Sequence, residues 1–262
     1  MVGGISYLIL KSLEAILSFL TILPIVDKST ATDKPTNLSD IYYIAKNMYL
    51  FPVAGAIIGI LIGSLAYGLF FYVQPALLGL IITSALIILT GASHVDALAD
   101  FADGLMVKGG KELRHKAMQD PGNGSAGIAA IVLYITGMII AISSFSYGFK
   151  LMTGIIVAEV IAKYVMALEA FLGRSAWQGL SSPFTAAMKD KRKMLSATAL
   201  MFGAIWISGY VGFLSLGISV ALGFLIQHIA NRSFGGISGD VIGASNEITR
   251  LASLIVLSSV TI

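Results

Sequence analysis

The chain has 262 residues, of which 56% are hydrophobic and only 12% charged, with a mean hydropathy of +0.87 and a net charge of +3. In soluble domains about a quarter of the residues are usually charged, so this composition excludes an ordinary soluble domain and indicates an integral membrane protein. The small net charge gives no indication of a nucleic-acid partner, and the absence of cysteine excludes disulfides, thiolate metal sites and a cysteine nucleophile.

Apolar stretches predict an all-α bundle of seven to eight membrane-spanning helices that forms a single domain over residues 1–262. The predicted spans cover about 5–26, 48–73, 75–93, 126–147, 151–173, 194–211, 213–230 and 246–262. The first contains Lys11 and Glu14, so it is either a true span or an amphipathic helix in the membrane interface. It lacks the basic start and the small-residue cleavage site of a signal peptide.

The polar segments between the spans predict the orientation of the protein. Segments 27–47, 94–125, 174–193 and 231–245, with Arg250 just beyond, hold 14 of the 17 Lys and Arg residues. With eight spans these segments all lie on one side, which the positive-inside rule makes cytoplasmic. We therefore expect a multi-pass protein of the cell membrane with its active-site loops in the cytoplasm.

Two patterns within the spans predict helix contacts. Gly55, Gly59 and Gly63 recur every four residues, a spacing that permits close helix packing. Glu159 and Lys163, also four apart, predict an intrahelical ion pair that lowers the cost of burying both charges. This pair is either structural or part of the wall of a substrate cavity.

Three aspartates directly follow the third predicted span. Spacings of four and three residues place Asp96, Asp100 and Asp103 on one face of a helix. Their charges repel one another, so the cluster becomes favourable when a divalent cation lies between the carboxylates. Oxygen ligands predict Mg²⁺, with Mn²⁺ as the alternative, and His94 is a further candidate ligand. The plainer interpretation is a group of solvated loop charges.

A glycine-rich loop over residues 120–125 leads directly into the next span. Its glycines allow close backbone approach, and the N–H groups at the start of a helix attract an anion. Together with the basic segment before it, this loop predicts a phosphate site. The candidate residues are Asp120, Asn123, Gly124 and Ser125 of the loop, and Arg114 and Lys116 before it. The alternative is an ordinary turn with Ser125 as the helix cap.

Segment 235–247 predicts a second half of the site, because four glycines surround a single aspartate there. Asp240 and Glu247 are seven residues apart and share a helix face if the segment is helical. Both side chains could then face the same cavity, so Asp240 and Glu247 are candidate site residues. Arg174, just past the fifth span, either meets a substrate phosphate or anchors the topology. The alternative for the glycines is a packing motif with Asp240 as a helix cap.

With these residues in view, the chain resembles the cobalamin synthase family of adenosylcobinamide-GDP ribazoletransferases. The resembling segments, in the family's order over nearly the whole length, are Leu17-Ser18-Phe19-Leu20-Thr21-Ile22-Leu23-Pro24, Phe51-Pro52-Val53-Ala54-Gly55, His94 to Gly104, Met118 to Gly127, and Gly235 to Asp240 with Gly243 and Glu247. Around His94 the family reads close to H-x-D-G-L-A-D-x-x-D-G. Ala97, Pro121 and Lys116 depart from the family's usual Gly, Ser and Glu.

The resemblance implies an enzyme that joins adenosylcobinamide-GDP to α-ribazole, or to its 5′-phosphate, with release of GMP and a requirement for Mg²⁺. In such a site the Mg²⁺ held by the aspartate cluster bridges the diphosphate, and Asp100 and Asp103 are catalytic carboxylates. Arg114 and Lys116 neutralise phosphate oxygens, while Asp240 or Asp120 orients or deprotonates the attacking hydroxyl. The expected partners are these two small-molecule substrates and the lipid bilayer, and contacts with a second copy or with other enzymes of the pathway stay open.

Three other classes of membrane protein also have clustered acidic residues that bind cations. The D-G-x-x-A-R core of CDP-alcohol phosphotransferases is missing, because Ala97 follows Asp96 and no arginine lies between Asp103 and Arg114. Aspartate-rich prenyltransferases carry a second motif of the same kind, which this chain lacks. A cation or corrinoid transporter is disfavoured because no internal repeat is visible and the polar candidates gather on one side.

Overall fold

The computed structural model of the protein describes residues 2–23, 38–179 and 181–260. Within these residues the chain forms twelve α-helices, and the only β-type pairing is an isolated bridge between Ser175 and Ile237. The helices are α1 (Val2–Leu20), α2 (Leu38–Lys46), α3 (Phe51–Phe70), α4 (Pro75–Leu89), α5 (Ser93–Met106), α6 (Lys111–Met118), α7 (Ser125–Ser143), α8 (Gly148–Leu172), α9 (Ser181–Met188), α10 (Lys191–Ile205), α11 (Gly209–Ser233) and α12 (Gly239–Ser259). The predicted all-α class is thereby confirmed.

Helix α8 lies at the centre of the bundle, with α3, α10, α11 and α12 packed around it. The glycine stripe of α3 faces α8 at very short range. A Cβ atom at Gly55 would lie 2.6 Å from the carbonyl oxygen of Glu159, and one at Gly59 would lie 2.6 Å from the Cα of Ile156. Because no side chain fits there, the two helices pack backbone to backbone, which confirms the contact predicted from the four-residue spacing.

Four stretches of the described chain are long and apolar enough to cross a membrane, and a fifth results if the bent pair α4–α5 is counted as one broken span. They are Met48–Phe70, Ser125–Ser143, Lys191–Ser233 and Gly239–Ser259. Large apolar side chains remain exposed along α3, α4, α7 and α11. These surfaces suit a hydrocarbon environment and suggest a membrane protein.

The stretch Lys191–Ser233 folds back on itself near Gly209, whose φ of 54° lies in the left-handed region that glycine tolerates. Tyr164 of α8 contacts Thr198 of α10, with 3.3 Å between their hydroxyl oxygens. The adjacent Val165 lies 2.7 Å from where a Cβ at Gly223 of α11 would be. Both arms therefore pass α8 at the same level, and the turn at Gly209 lies three residues before residue 212, which separates the predicted spans 194–211 and 213–230.

Several helix boundaries differ from the predictions, and the start of α12 and the loop before α3 differ most. Helix α12 begins at Gly239, seven residues before the predicted start, because the Ser238 hydroxyl accepts a hydrogen bond from the Val241 N–H at 3.2 Å and caps the helix. Part of the predicted loop 27–47 is the short helix α2, while residues 24–37 lie outside the described residues.

Candidate active site

The polar segments that follow α4, α8 and α11 meet at one end of the bundle. The Ala176 N–H donates to the Ile237 carbonyl, and the Ile237 N–H donates to the Arg174 carbonyl, both at 2.9 Å. The His115 ring stacks on Trp177 with 3.6 Å between ring centroids. Segments that are more than a hundred residues apart in sequence thus form one polar surface.

A sharp bend positions the helix that carries the three aspartates. Gly91 and Ala92 both adopt positive φ angles, of 64° and 58°, and α5 leaves α4 at 91°. Helix α5 then packs against the start of α12, where a Cβ atom at Gly243 would lie 2.6 Å from the Cβ of Ala97. The bend therefore sets α5 across the polar end of the bundle rather than along the apolar helices.

Asp100 lies at the centre of a negatively charged group. Partial burial is the main cause that raises the pKa of its carboxyl to about 7. The negative charges that add to this shift are those of Asp96, Asp240 and Asp103. Asp240 of α12 and Ala97 of α5, one turn before Asp100, line the same cavity.

Asp103 makes a contact that the sequence did not predict. Its carboxylate oxygens accept hydrogen bonds from the backbone N–H groups of Gly124 and Gly127, both at 2.8 Å. A Cβ atom at either glycine would lie 2.4 Å from this carboxylate, so only glycine fits. The start of α7 does bind an anion, and that anion is the side chain of Asp103.

The other loop residues predicted to bind phosphate are exposed on the same surface. Asp120 accepts a hydrogen bond from the Gly122 N–H at 2.9 Å and closes the turn. Ser125 is the first residue of α7 and does not cap it, because Gly124 occupies the cap position. Lys116 and Asn123 are likewise exposed.

The two predicted arginines both hold backbone carbonyls at the edge of the surface. Arg114 donates to the carbonyl of Leu105 at 2.6 Å and to that of Gly104 at 3.3 Å, which stabilises the C-terminal end of α5. Arg174 donates from its Nε atom to the carbonyl of Gly235 at 3.2 Å and fixes the glycine-rich segment. Each guanidinium thus helps to shape the surface.

Glu247 lies in a different environment from the other predicted site residues. It is fully buried in α12, where its carboxylate pairs with Arg250 and accepts a hydrogen bond from the Asn246 side chain at 2.9 Å. Its nearest link to α5 is His94, whose Nδ1 atom is 3.7 Å from the carboxylate. Arg250, counted with the cytoplasmic cations in the sequence, is in fact 2% exposed inside the bundle, a correction to that count.

The predicted pair of Glu159 and Lys163 is confirmed, with 3.8 Å between the charged atoms, and both side chains are buried. Arg250 donates to Glu159 as well, from Nε at 2.5 Å, and to the Tyr134 hydroxyl at 3.1 Å. We call Glu159, Lys163, Glu247 and Arg250 the buried charge cluster. The formal charges of this cluster cancel. The sequence feature that could have predicted the pair of Glu247 and Arg250 is their spacing of three residues in an apolar helix.

Carboxylate oxygens are suitable ligands for a divalent cation. The described residues, however, hold no group of three or more acidic or histidine side chains already spaced to bind a metal. Of the three predicted ligands, Asp103 has both carboxylate oxygens in hydrogen bonds to the start of α7. The carboxylates that act on Asp100 repel one another, and a cation among them would relieve that repulsion.

The sequence pattern of the family described as cobalamin-5-phosphate synthase matches residues 12–258, nearly the whole chain. The chain belongs to this family. Three similar proteins are named adenosylcobinamide-GDP ribazoletransferase. The one from Methanocella arvoryzae is 32% identical over 96% of this chain and 97% of its own length, that from Archaeoglobus fulgidus is 28% identical over 95% and 97%, and that from Saccharolobus islandicus is 32% identical over 92% and 93%. No solved structure matches the chain.

Membership of the cobalamin-5-phosphate synthase family confirms the resemblance inferred from the sequence. The structure adds that segments far apart in the chain share one cavity of about 240 Å³. Phe19, Phe51, His94 and Asp240 each line it, and each belongs to a different one of the resembling segments. Four of the segments that resemble the family therefore come together around this one cavity.

Asp103→Ala is expected to lower the free energy of unfolding by about 1–3 kcal/mol, because it leaves the N–H groups of Gly124 and Gly127 without their acceptor. Thermal unfolding in detergent measures the change. Asp120→Ala is the matched control, since it removes an exposed carboxylate from the same loop. Equal stability of the two variants would contradict the clamping role of Asp103.

Proposed function

We propose that this protein joins adenosylcobinamide-GDP to α-ribazole, or to its 5′-phosphate, at the polar end of the bundle and releases GMP. The family match over residues 12–258 supports the reaction. The observation that carries its location is that Asp240 of α12 lines the same cavity as Ala97 of α5, which lies one turn before Asp100, because a diphosphate needs carboxylates that can hold its counter-cation.

Asp96, Asp100 and Asp240 are the residues that would hold Mg²⁺, or Mn²⁺ in its place. When bound, the ion supplies positive charge to the diphosphate and to the leaving GMP. Asp103 keeps α5 against the start of α7, and so positions Asp100 beside the glycine-rich loop. The exposed Lys116, Asn123 and Ser125 line the approach for the phosphate oxygens.

In the proposed reaction, a ribose hydroxyl oxygen of ribazole bonds to the phosphorus atom on the corrinoid side. The bond from that phosphorus to the bridging oxygen breaks, and GMP leaves with this oxygen. The hydroxyl proton passes to a carboxylate, for which Asp240 and Asp120 are the candidates. Glu247 does not contact the substrates in this proposal, because its carboxylate is buried against Arg250.

We further propose a single-domain protein of the cell membrane that crosses the bilayer eight times, with α1, α3, α4, α7, α8, α10, α11 and α12 as the spans. Once Arg250 is assigned to the buried charge cluster, the polar segments still hold 13 of the 17 Lys and Arg residues, which favours a cytoplasmic active site. A reporter fused after residue 110 should respond as cytoplasmic. A periplasmic or external response would contradict this orientation.

Turnover by the purified protein in detergent tests the proposed reaction. GMP and a corrinoid product should form from adenosylcobinamide-GDP only when α-ribazole and Mg²⁺ are both present. A CDP-alcohol and its acceptor serve as the control for the related diphosphate chemistry and should give no product. Well-folded protein that forms no corrinoid product would refute the proposal.

A further inference from the structure

The cavity of about 240 Å³ beside the active site has one aromatic end and one polar end. Phe184 of α9 is its central ring, with centroids 5.8 Å from Phe19 of α1 and 6.3 Å from Phe51 of α3. Met48 adds a polarisable side chain to the same wall. Asp240 lies at the polar end.

The polar end of this cavity is held by the surrounding helices. Asp240 is fixed at the first turn of α12, where the Ser238 hydroxyl donates to its carboxylate at 3.3 Å. His94 lines the cavity, while its Nδ1 atom lies 3.4 Å from the buried Asn246 amide and 3.7 Å from Glu247. The buried charge cluster, through Glu247, therefore contacts His94 in the wall of the cavity.

The size and chemistry of the cavity select among the parts of the proposed substrates. A volume of about 240 Å³ is below the roughly 300–1,000 Å³ that drug-sized ligands occupy, so a corrin ring system cannot enter. Guanine carries donors and acceptors on both of its rings, and those that lay among Phe19, Phe51 and Phe184 would stay unpaired, at a cost in free energy. A methylated benzimidazole is flat and apolar, and it stacks well on aromatic rings.

Resting on the proposed function, we infer that this cavity is the subsite for the heteroaromatic base of the ribazole substrate. The benzimidazole lies among Phe19, Phe51 and Phe184, and its ribose extends past Asp240 toward Asp100. This placement brings a ribose hydroxyl to the aspartates that hold the diphosphate. It also gives Phe184 the part of a specificity-determining residue.

Phe184→Leu tests the inference, with Phe145→Leu as the matched control. Both phenylalanines are buried, at 6% and 5% exposure, but Phe145 packs against Gly154 and is not part of the cavity wall. Phe184→Leu should raise the KM for ribazole about tenfold and leave the KM for adenosylcobinamide-GDP within about twofold. Phe145→Leu should change neither value.

Equilibrium dialysis with ribazole alone separates this inference from the proposed function. Wild-type protein should bind ribazole, and Phe184→Leu should weaken that binding about tenfold. If turnover is normal but Phe184→Leu binds ribazole as tightly as wild type, the subsite is wrong while the function stands. If ribazole binding depends on Phe184 but no corrinoid product forms, the subsite stands and the function fails.

Phe19→Leu keeps the test decisive if Phe184→Leu does not fold. Phe19 is only partly buried, so its replacement disturbs the core less. The expected result is the same selective rise in the KM for ribazole. Unchanged values in a folded Phe19→Leu protein would overturn the inference, as would a lipid chain that occupies the cavity without competition from ribazole.

Discussion

Asp100→Asn is expected to reduce turnover at least about a hundredfold, because an amide is a weaker ligand than a carboxylate for the cation that would offset the negative charge of the leaving GMP. The same change should leave the free energy of unfolding within about 0.5 kcal/mol of wild type, or raise it. The reason is that partial burial, with the added charges of Asp96 and Asp240, disfavours the ionised carboxylate of Asp100 and raises its pKa to about 7, whereas an amide carries no charge to be disfavoured.

GMP release and thermal unfolding, measured on the same preparation, separate the two effects of Asp100→Asn. Glu112→Gln is the control, because it neutralises an exposed acid of α6 on the same polar face. It should retain turnover close to wild type. Substantial activity in Asp100→Asn would show that this carboxylate does not hold the catalytic cation.

Arg250→Met is expected to cost about 3–5 kcal/mol in the free energy of unfolding, because it leaves the buried carboxylates of Glu159 and Glu247 without their shared cation. Methionine has a similar length and fills most of the same space, so the loss comes mainly from the unpaired charges. Chemical or thermal unfolding in detergent measures this change.

Arg232→Met is the matched control for Arg250→Met, since Arg232 is exposed in the last turn of α11. It should change stability by less than about 0.5 kcal/mol. Adding Glu247→Gln to Arg250→Met should recover part of the loss, because Glu159 keeps Lys163 as a partner whereas Glu247 has lost Arg250. Equal stability of Arg250→Met and Arg232→Met would mean that the buried charge cluster does not stabilise the fold.

Local patterns in the sequence predicted much of this structure. The glycines of α3 required a close helix contact, and Glu159 and Lys163 required a pair within one helix; both are governed by spacings of three or four residues. Asp96 and Asp100 follow the same rule on α5. Such features depend on a single helix, which is why the sequence alone suffices to predict them.

Features that depend on contacts between distant segments were not predictable in the same way. The spacing of Asp103 assigns it to the metal face, but its carboxylate binds the start of α7, about twenty residues further on. Glu247 does lie two turns after Asp240, yet Arg250 and the neighbouring helices enclose it. Which anion occupies a helix start, and which charge is buried, depends on the tertiary packing.

Mn²⁺ binding, followed by electron paramagnetic resonance, tests most directly whether Asp100 of α5 and Asp240 of α12 form one metal site. Wild-type protein should bind Mn²⁺, Mg²⁺ should compete for it, and Asp100→Asn and Asp240→Asn should each weaken binding about tenfold or more. Glu112→Gln should bind as wild type does. Wild-type affinity in Asp240→Asn would contradict a single site shared by the two helices.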